Sequence, residues 1–120
     1  MPRFVVLEHR RDGTHWDLML QGERDLRTWA LDAPPSPGVD IPACELAPHR
    51  LLYLDYEGPI SADRGEVRRV AAGTFEVVGW SAGEVVARLD GPQLSGLLTL
   101  ARAETGVPGR DWLCRLGKVD

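Results

Sequence analysis

Lysine is almost absent from this sequence: of its 14 basic residues 13 are arginine, and Lys118 is the sole lysine. Arginine suits bidentate contacts with phosphate, although a genome rich in G and C gives the same bias with no function behind it. Positive charge is also in deficit, with a formal net charge of −4 at pH 7. That excludes a general polyanion binder, so any contact with nucleic acid must be made at a small site. Cysteine is scarce too. Cys44 and Cys114 lie far apart and outside any CxxC pattern, which excludes a disulfide framework and a cysteine-built zinc site. No apolar run is long enough to span a bilayer. The opening Met1-Pro2-Arg3-Phe4-Val5-Val6 lacks the apolar region and cleavage site of a signal peptide. A cytoplasmic protein with no membrane partner is expected.

What is present is enough for one domain over residues 1–120, with 43% hydrophobic residues to build a core. Short strand-like runs dominate: Phe4–Glu8, Thr14–Gln21, Leu26–Leu31, Gly65–Val70, Thr74–Trp80, Glu84–Leu89, Leu97–Arg102 and Trp112–Leu116. Cys44–Ala47 is a weaker candidate leading into Pro48-His49, and Asp32–Gly38 is too rich in proline for regular structure. Gly73, Gly79, Gly83 and Gly91-Pro92 read as turns, and a short helix is placed near Leu51–Tyr56. Strands at this spacing predict a mainly β fold, a small closed antiparallel β-barrel with at most one or two short helices.

The run from His9 to Leu20 holds the chemistry. It carries two histidines and an aspartate within nine residues, His9, His15 and Asp17. A strand sends alternate side chains to opposite faces, so His15 and Asp17 point one way while Trp16, Leu18 and Leu20 point the other. Gly13 marks a turn that folds His9 back beside His15. Two imidazoles and a carboxylate suit a divalent transition metal with positions left open. The plain alternative is a polar strand face beside an unrelated histidine.

These residues also resemble a known family. Phe4-Val5-Val6-Leu7-Glu8-His9 followed after five residues by His15-Trp16-Asp17-Leu18 is similar to the opening signature of the 3′-phosphoesterase domain of DNA ligase D. Thr28-Trp29-Ala30-Leu31 before a proline-rich loop, Pro48-His49, and Tyr53 to Ile60 resemble its central elements. Gly65 to Phe75, Gly83 to Gly96, Leu100-Ala101-Arg102 and Trp112-Leu113 follow in the family's order.

The resemblance implies a compact β-barrel with one Mn²⁺ or Zn²⁺ held by His9, His15 and Asp17 in a crescent-shaped groove. It implies a hydrolase that removes a 3′-phosphate or a 3′-terminal ribonucleotide from DNA, with His49 beside the scissile phosphate and Tyr53 supporting the same site. The implied partners are DNA 3′ ends, at primer-templates or nicks, with a separately encoded ligase or polymerase. Three positions depart from the family pattern. Met19 and Ile41 stand where it carries phosphate-contacting arginines, and Ala47 where it carries a glutamate. Arg50 and Arg68, with Arg10 and Arg11, are candidates to hold the phosphate instead. Glu8 and Asp12 are candidates to orient a ligand histidine, and the four tryptophans read as core. A binding module for a repair complex, with catalysis weakened, is the alternative function. His15-x-Asp17 with His49 also fits the facial triad of non-haem iron oxygenases, but the larger barrel and cosubstrate-binding cation of that class are not evident.

Overall fold

The computed structural model describes residues 1–117. Nine strands form one antiparallel sheet: β1 (Arg3–Arg10), β2 (Thr14–Gln21), β3 (Leu26–Leu31), β4 (Asp40–His49), β5 (Gly58–Pro59), β6 (Glu66–Trp80), β7 (Glu84–Asp90), β8 (Gly96–Arg102) and β9 (Trp112–Leu116). The spatial order is β1-β2-β3-β4-β9-β8-β7-β6, and β6 pairs back onto β1, so eight strands close a barrel. β5 lies outside this ring, against Glu66 and Val67 of β6. The only helical element among the described residues is a single 3₁₀ turn at Leu51–Leu54, shorter than the helix expected to Tyr56. None is long and apolar enough to cross a membrane.

Alternation builds two apolar layers. Phe4, Val6, Leu18, Leu20, Trp29, Leu31, Phe75, Val85, Leu98, Leu100 and Trp112 face inward and fill the barrel. The odd-numbered residues of β1 and β2 face outward. There Val5, Leu7, Met19, Leu26 and Val67 form a second patch, covered by Leu54 with Tyr53 and Tyr56 at its margin. This cover explains why Leu18, Met19 and Leu20 are all buried in a strand that would otherwise alternate.

Two expectations need correction. Gly73 and Gly79 are not turns: β6 is one strand of 15 residues. Its register slips opposite Val6/Leu7 and again between Val77 and Gly79, leaving Val70 and Val78 as bulged residues. Such bulges coil a long strand enough for its first half to pair with β1 and its second with β7. Gly73 is required by proximity, since a Cβ there would lie 2.2 Å from the carbonyl oxygen of Asp90. The second correction concerns β4, which spans ten residues and ends at His49 rather than leaving it in a loop. Pro42 and Pro48 disguise it, yet neither breaks it. The Pro42 carbonyl accepts from Asp32, and Pro48 lies beyond the stretch where β4 pairs with β9.

Trp29 and Trp112 are fully buried, whereas Trp80 is 43% exposed. Trp80 stacks on Phe75 with ring planes 7° apart. Arg27 joins these rings. Its guanidinium lies 4.9 Å from the Trp29 ring centre and 5.4 Å from that of Trp80. It also pairs with Glu45 and donates to the Ser81 and Ala82 carbonyls, tying the β6–β7 turn to the barrel end.

Candidate functional site

The β1–β2 hairpin sets His9 directly opposite His15, and Leu7 opposite Asp17. All four side chains therefore share the outer face. His9 Nδ1 lies 3.2 Å from His15 Nε2. His15 Nε2 is 2.9 Å from Asp17 Oδ1, and His9 Nδ1 is 3.6 Å from Asp17 Oδ2. Ligands bound to one first-row ion at about 2.0–2.2 Å stand roughly 3.0–3.5 Å apart. Each imidazole approaches a different oxygen of the Asp17 carboxylate, and one donor atom from each of the three residues lies within 4.8 Å of the other two, near the spacing that one ion requires.

Their hydrogen bonding supports the same geometry. The Arg64 carbonyl lies 2.7 Å from His9 Nε2. A carbonyl only accepts, so Nε2 carries the proton and Nδ1 presents its lone pair to the cluster. Asp17 is 3% exposed. Its Oδ1 has no hydrogen bond of good geometry despite the 2.9 Å approach of His15 Nε2. A buried carboxylate with an unsatisfied oxygen and two imidazole nitrogens converging beside it could hold a cation. These are the only three histidine, cysteine or acidic residues among the described ones that converge in this way.

Arg64 reaches His9 because Gly65 allows it. Gly65 has φ +84°, and a Cβ there would lie 2.0 Å from the Arg10 carbonyl oxygen. The loop from Ile60 to Gly65 thus lies flat against the end of β1, with Ala62 and Asp63 also left-handed. Glu8 does not serve as the orienting acceptor for a histidine. It faces the opposite side of the strand and pairs with Arg10 and Arg68. Asp12 stands at a left-handed turn position of the hairpin, with φ 52°.

The structure brings His9, His15 and Asp17 together and sets His49 and Tyr53 apart from them. His49 pairs with Leu26 and Leu26 with Gln21, four residues beyond Asp17 along β2. That is roughly 13 Å of strand. His49 shares the outer face, and the patch around Met19 lies between it and the three ligands. Its Nδ1 lies 2.9 Å from the Ala47 carbonyl, so Nδ1 is the protonated nitrogen and Nε2 is the working atom. Tyr53 meets the His49 ring edge-on at 5.8 Å. The iron-type triad with His49 is not assembled. Arg50 is exposed beside His49, with no side-chain hydrogen bond among the described residues. Arg68 is on the face away from His9, since its strand partner is Glu8 while Val67 is the partner of His9. Ile41 faces into the barrel core, and Ala47 is exposed in the bulged stretch of β4.

Two charged residues that the sequence did not single out complete the neighbourhood. Asp32 follows the Leu31–Trp16 pair and continues the ladder with a hydrogen bond to Pro42. Arg110 comes from the loop between β8 and β9 and donates from Nε to Asp32 Oδ1 at 2.8 Å. A concavity of about 740 Å³ between Thr74, Phe75, Arg88 and Leu97 is lined by no histidine and lies elsewhere on the barrel. Cys114 is not a competing ligand: burial pushes its thiol up to about 12.

A model of the family described as the DNA Ligase D 3′-phosphoesterase domain matches residues 7–102. This chain belongs to that family. Two curated relatives carry the same segment. They are the multifunctional non-homologous end joining protein LigD of Mycobacterium bovis and the multifunctional non-homologous end joining DNA repair protein LigD of Mycobacterium tuberculosis. Each is 29% identical over 119 residues, covering 92% of this chain. The chain corresponds to only 15% of their length. The family match spans His9, His15 and Asp17, as well as His49 and Tyr53.

Asp17 raises the pKa of His15 above its ordinary 6.5, while desolvation opposes the shift. Protonation of His15 beside Asp17 therefore stabilises the fold. Because the folded pKa lies above the unfolded one, this contribution is fully present below pH 6.5 and is lost as pH rises through the folded value. In chelator-treated protein the melting temperature is expected to carry a component that falls with rising pH across that window. Asp17→Asn should abolish that component, and an unchanged pH profile in the variant would refute the assignment.

Proposed function

We propose that this domain is a metal-dependent phosphoesterase acting on 3′ ends of DNA in end joining. It would remove a 3′-phosphate or a 3′-terminal ribonucleotide and leave a 3′-hydroxyl. The observation that carries this reading is the convergence of His9 Nδ1, His15 Nε2 and Asp17 on one point of a barrel belonging to this family. These residues would hold one Mn²⁺ or Zn²⁺. When bound, the ion supplies Lewis-acid charge and an activated water.

The chain's own residues do the rest. Arg64 fixes the His9 tautomer through its carbonyl. His49 holds or passes a proton at Nε2 while Ala47 pins Nδ1, and it hydrogen-bonds to a phosphate oxygen or protonates the leaving oxygen. Tyr53 keeps the imidazole edge-on. Arg50, next to His49, adds positive charge for the strand. The DNA end would lie on the outer face across the Met19–Tyr53 patch. A separately encoded ligase or polymerase would complete the joining.

The test is a primer ending in 3′-phosphate, and a second ending in a 3′-ribonucleotide, incubated with metal-loaded and chelator-treated protein. The loaded protein is expected to yield a 3′-hydroxyl end and the treated protein to leave the primer intact. The absence of the canonical-position arginine at Met19 gives the alternative its footing. If fully loaded protein binds these ends and turns over neither, a non-catalytic binding module is the correct description.

A further inference from the structure

The phosphate needs a cation on the outer face, and neither Met19 nor Arg68 provides one. Met19 is buried in the apolar patch, and Arg68 is bound to Glu8 on the other side of the strand. We propose that Arg110 is the residue that grips the phosphate at this site, held in place by Asp32. This rests on the phosphoesterase reading above and names a substrate-binding residue for it.

Position is the first argument. The ladder puts Asp32 one strand away from His15, on the edge of the cluster. Arg110 is hydrogen-bonded to that Asp32 and is therefore beside the ligands, though the two are 78 positions apart in sequence.

The second argument is the way the guanidinium is held. Asp32 takes the Nε edge at 2.8 Å. Nη1 makes only a long 3.4 Å contact to the Gly109 carbonyl, and Nη2 has no partner among the described residues. The Nη1–Nη2 fork is thus left for an oxyanion, which arginine binds bidentately. The Arg110 side chain is 31% exposed, enough to meet a ligand from solvent.

The supporting loop is built, not loose. Ala103 donates to Asp111 and Arg110 to Val107 through the backbone, and Thr105 Oγ1 donates to the Arg110 carbonyl. Gly106 and Gly109 take the left-handed turns that this closure needs, at φ 77° and 75°. Arg102 and Asp111 pair across its base. A preorganised loop loses little conformational freedom when its arginine binds an anion. By its chemistry the ligand is a phosphate mono- or diester at a DNA end.

The test uses the metal-loaded full chain with two readouts: KM and kcat on the 3′-phosphate primer, and calorimetric binding of inorganic phosphate. Arg110→Ala should weaken phosphate binding and lower kcat/KM by about 10–100-fold, with metal content unchanged. Arg110→Lys, which keeps the charge without the fork and guards against a folding defect, should recover only part of the loss. Asp32→Asn should weaken binding less than Arg110→Ala. Arg88→Ala, on a distant strand, controls for removal of a positive charge. Wild-type levels of phosphate binding and turnover in folded Arg110→Ala would overturn the assignment and leave the phosphoesterase reading standing. Failure of the loaded wild-type protein both to bind phosphate and to cleave would overturn the two together.

Discussion

His15→Ala is expected to strip the protein of its divalent metal. His15 Nε2 stands between the other two donors, 3.2 Å from His9 Nδ1 and 2.9 Å from Asp17 Oδ1. Removing it leaves two ligands, one of them a carboxylate. Apparent affinities for four-ligand zinc sites correspond to about 2.5–4 kcal/mol per ligand. Loss of one ligand should therefore weaken binding by roughly 10²–10³-fold. The fold should survive, because the side chain faces outward and is 32% exposed. Metal content after dialysis, measured by elemental analysis beside circular dichroism, checks this. A folded variant that keeps one equivalent of Mn²⁺ or Zn²⁺ would place the metal elsewhere.

His49→Ala should do the opposite: abolish turnover and leave metal content alone. The residue lies at the end of β4, outside the ligand cluster. Its free Nε2 is available for proton transfer, a contribution typically worth about 10²–10⁴-fold. The variant should lose that factor in kcat on the 3′-phosphate primer at full metal occupancy. Unaltered kcat would exclude His49 from the chemistry. Reduced metal content would instead show that the two parts of the outer face are closer in function than the strand register places them.

The convergence of His9, His15 and Asp17 was legible in the sequence because it is local. Thr14–Leu20 alternates, Gly13 turns, and the three ligands need only one hairpin to meet. The barrel was legible from the spacing of strands and turn residues. β6 was not, because Gly73 and Gly79 look like punctuation when read alone. Gly73 is needed where β7 and Phe4 crowd the strand, a contact no local pattern contains. β4 was shortened by its prolines, which fall where its ladder does not need their N–H groups. Met19 was read as an arginine lost from a polar face. Its burial depends on Leu54 and Tyr53 covering that face, and this is a tertiary event. Arg110 and Asp32 escaped notice for the same reason: the long loop and the strand end meet only when β9 closes beside β4.

The hairpin and the seam differ in a way that bears on how the chain folds. His9, His15 and Asp17 need only the short β1–β2 turn, so little loop-closure entropy opposes their meeting. The Arg64 carbonyl that orients His9 comes from 55 positions away and arrives only when β6 has paired with β1. Pairings of such long range form late and slowly. At the proposed metal site, an ion present during refolding would therefore meet a loose two-stranded chelate first and a tightened one only at ring closure, so its affinity would serve as a clock for barrel completion.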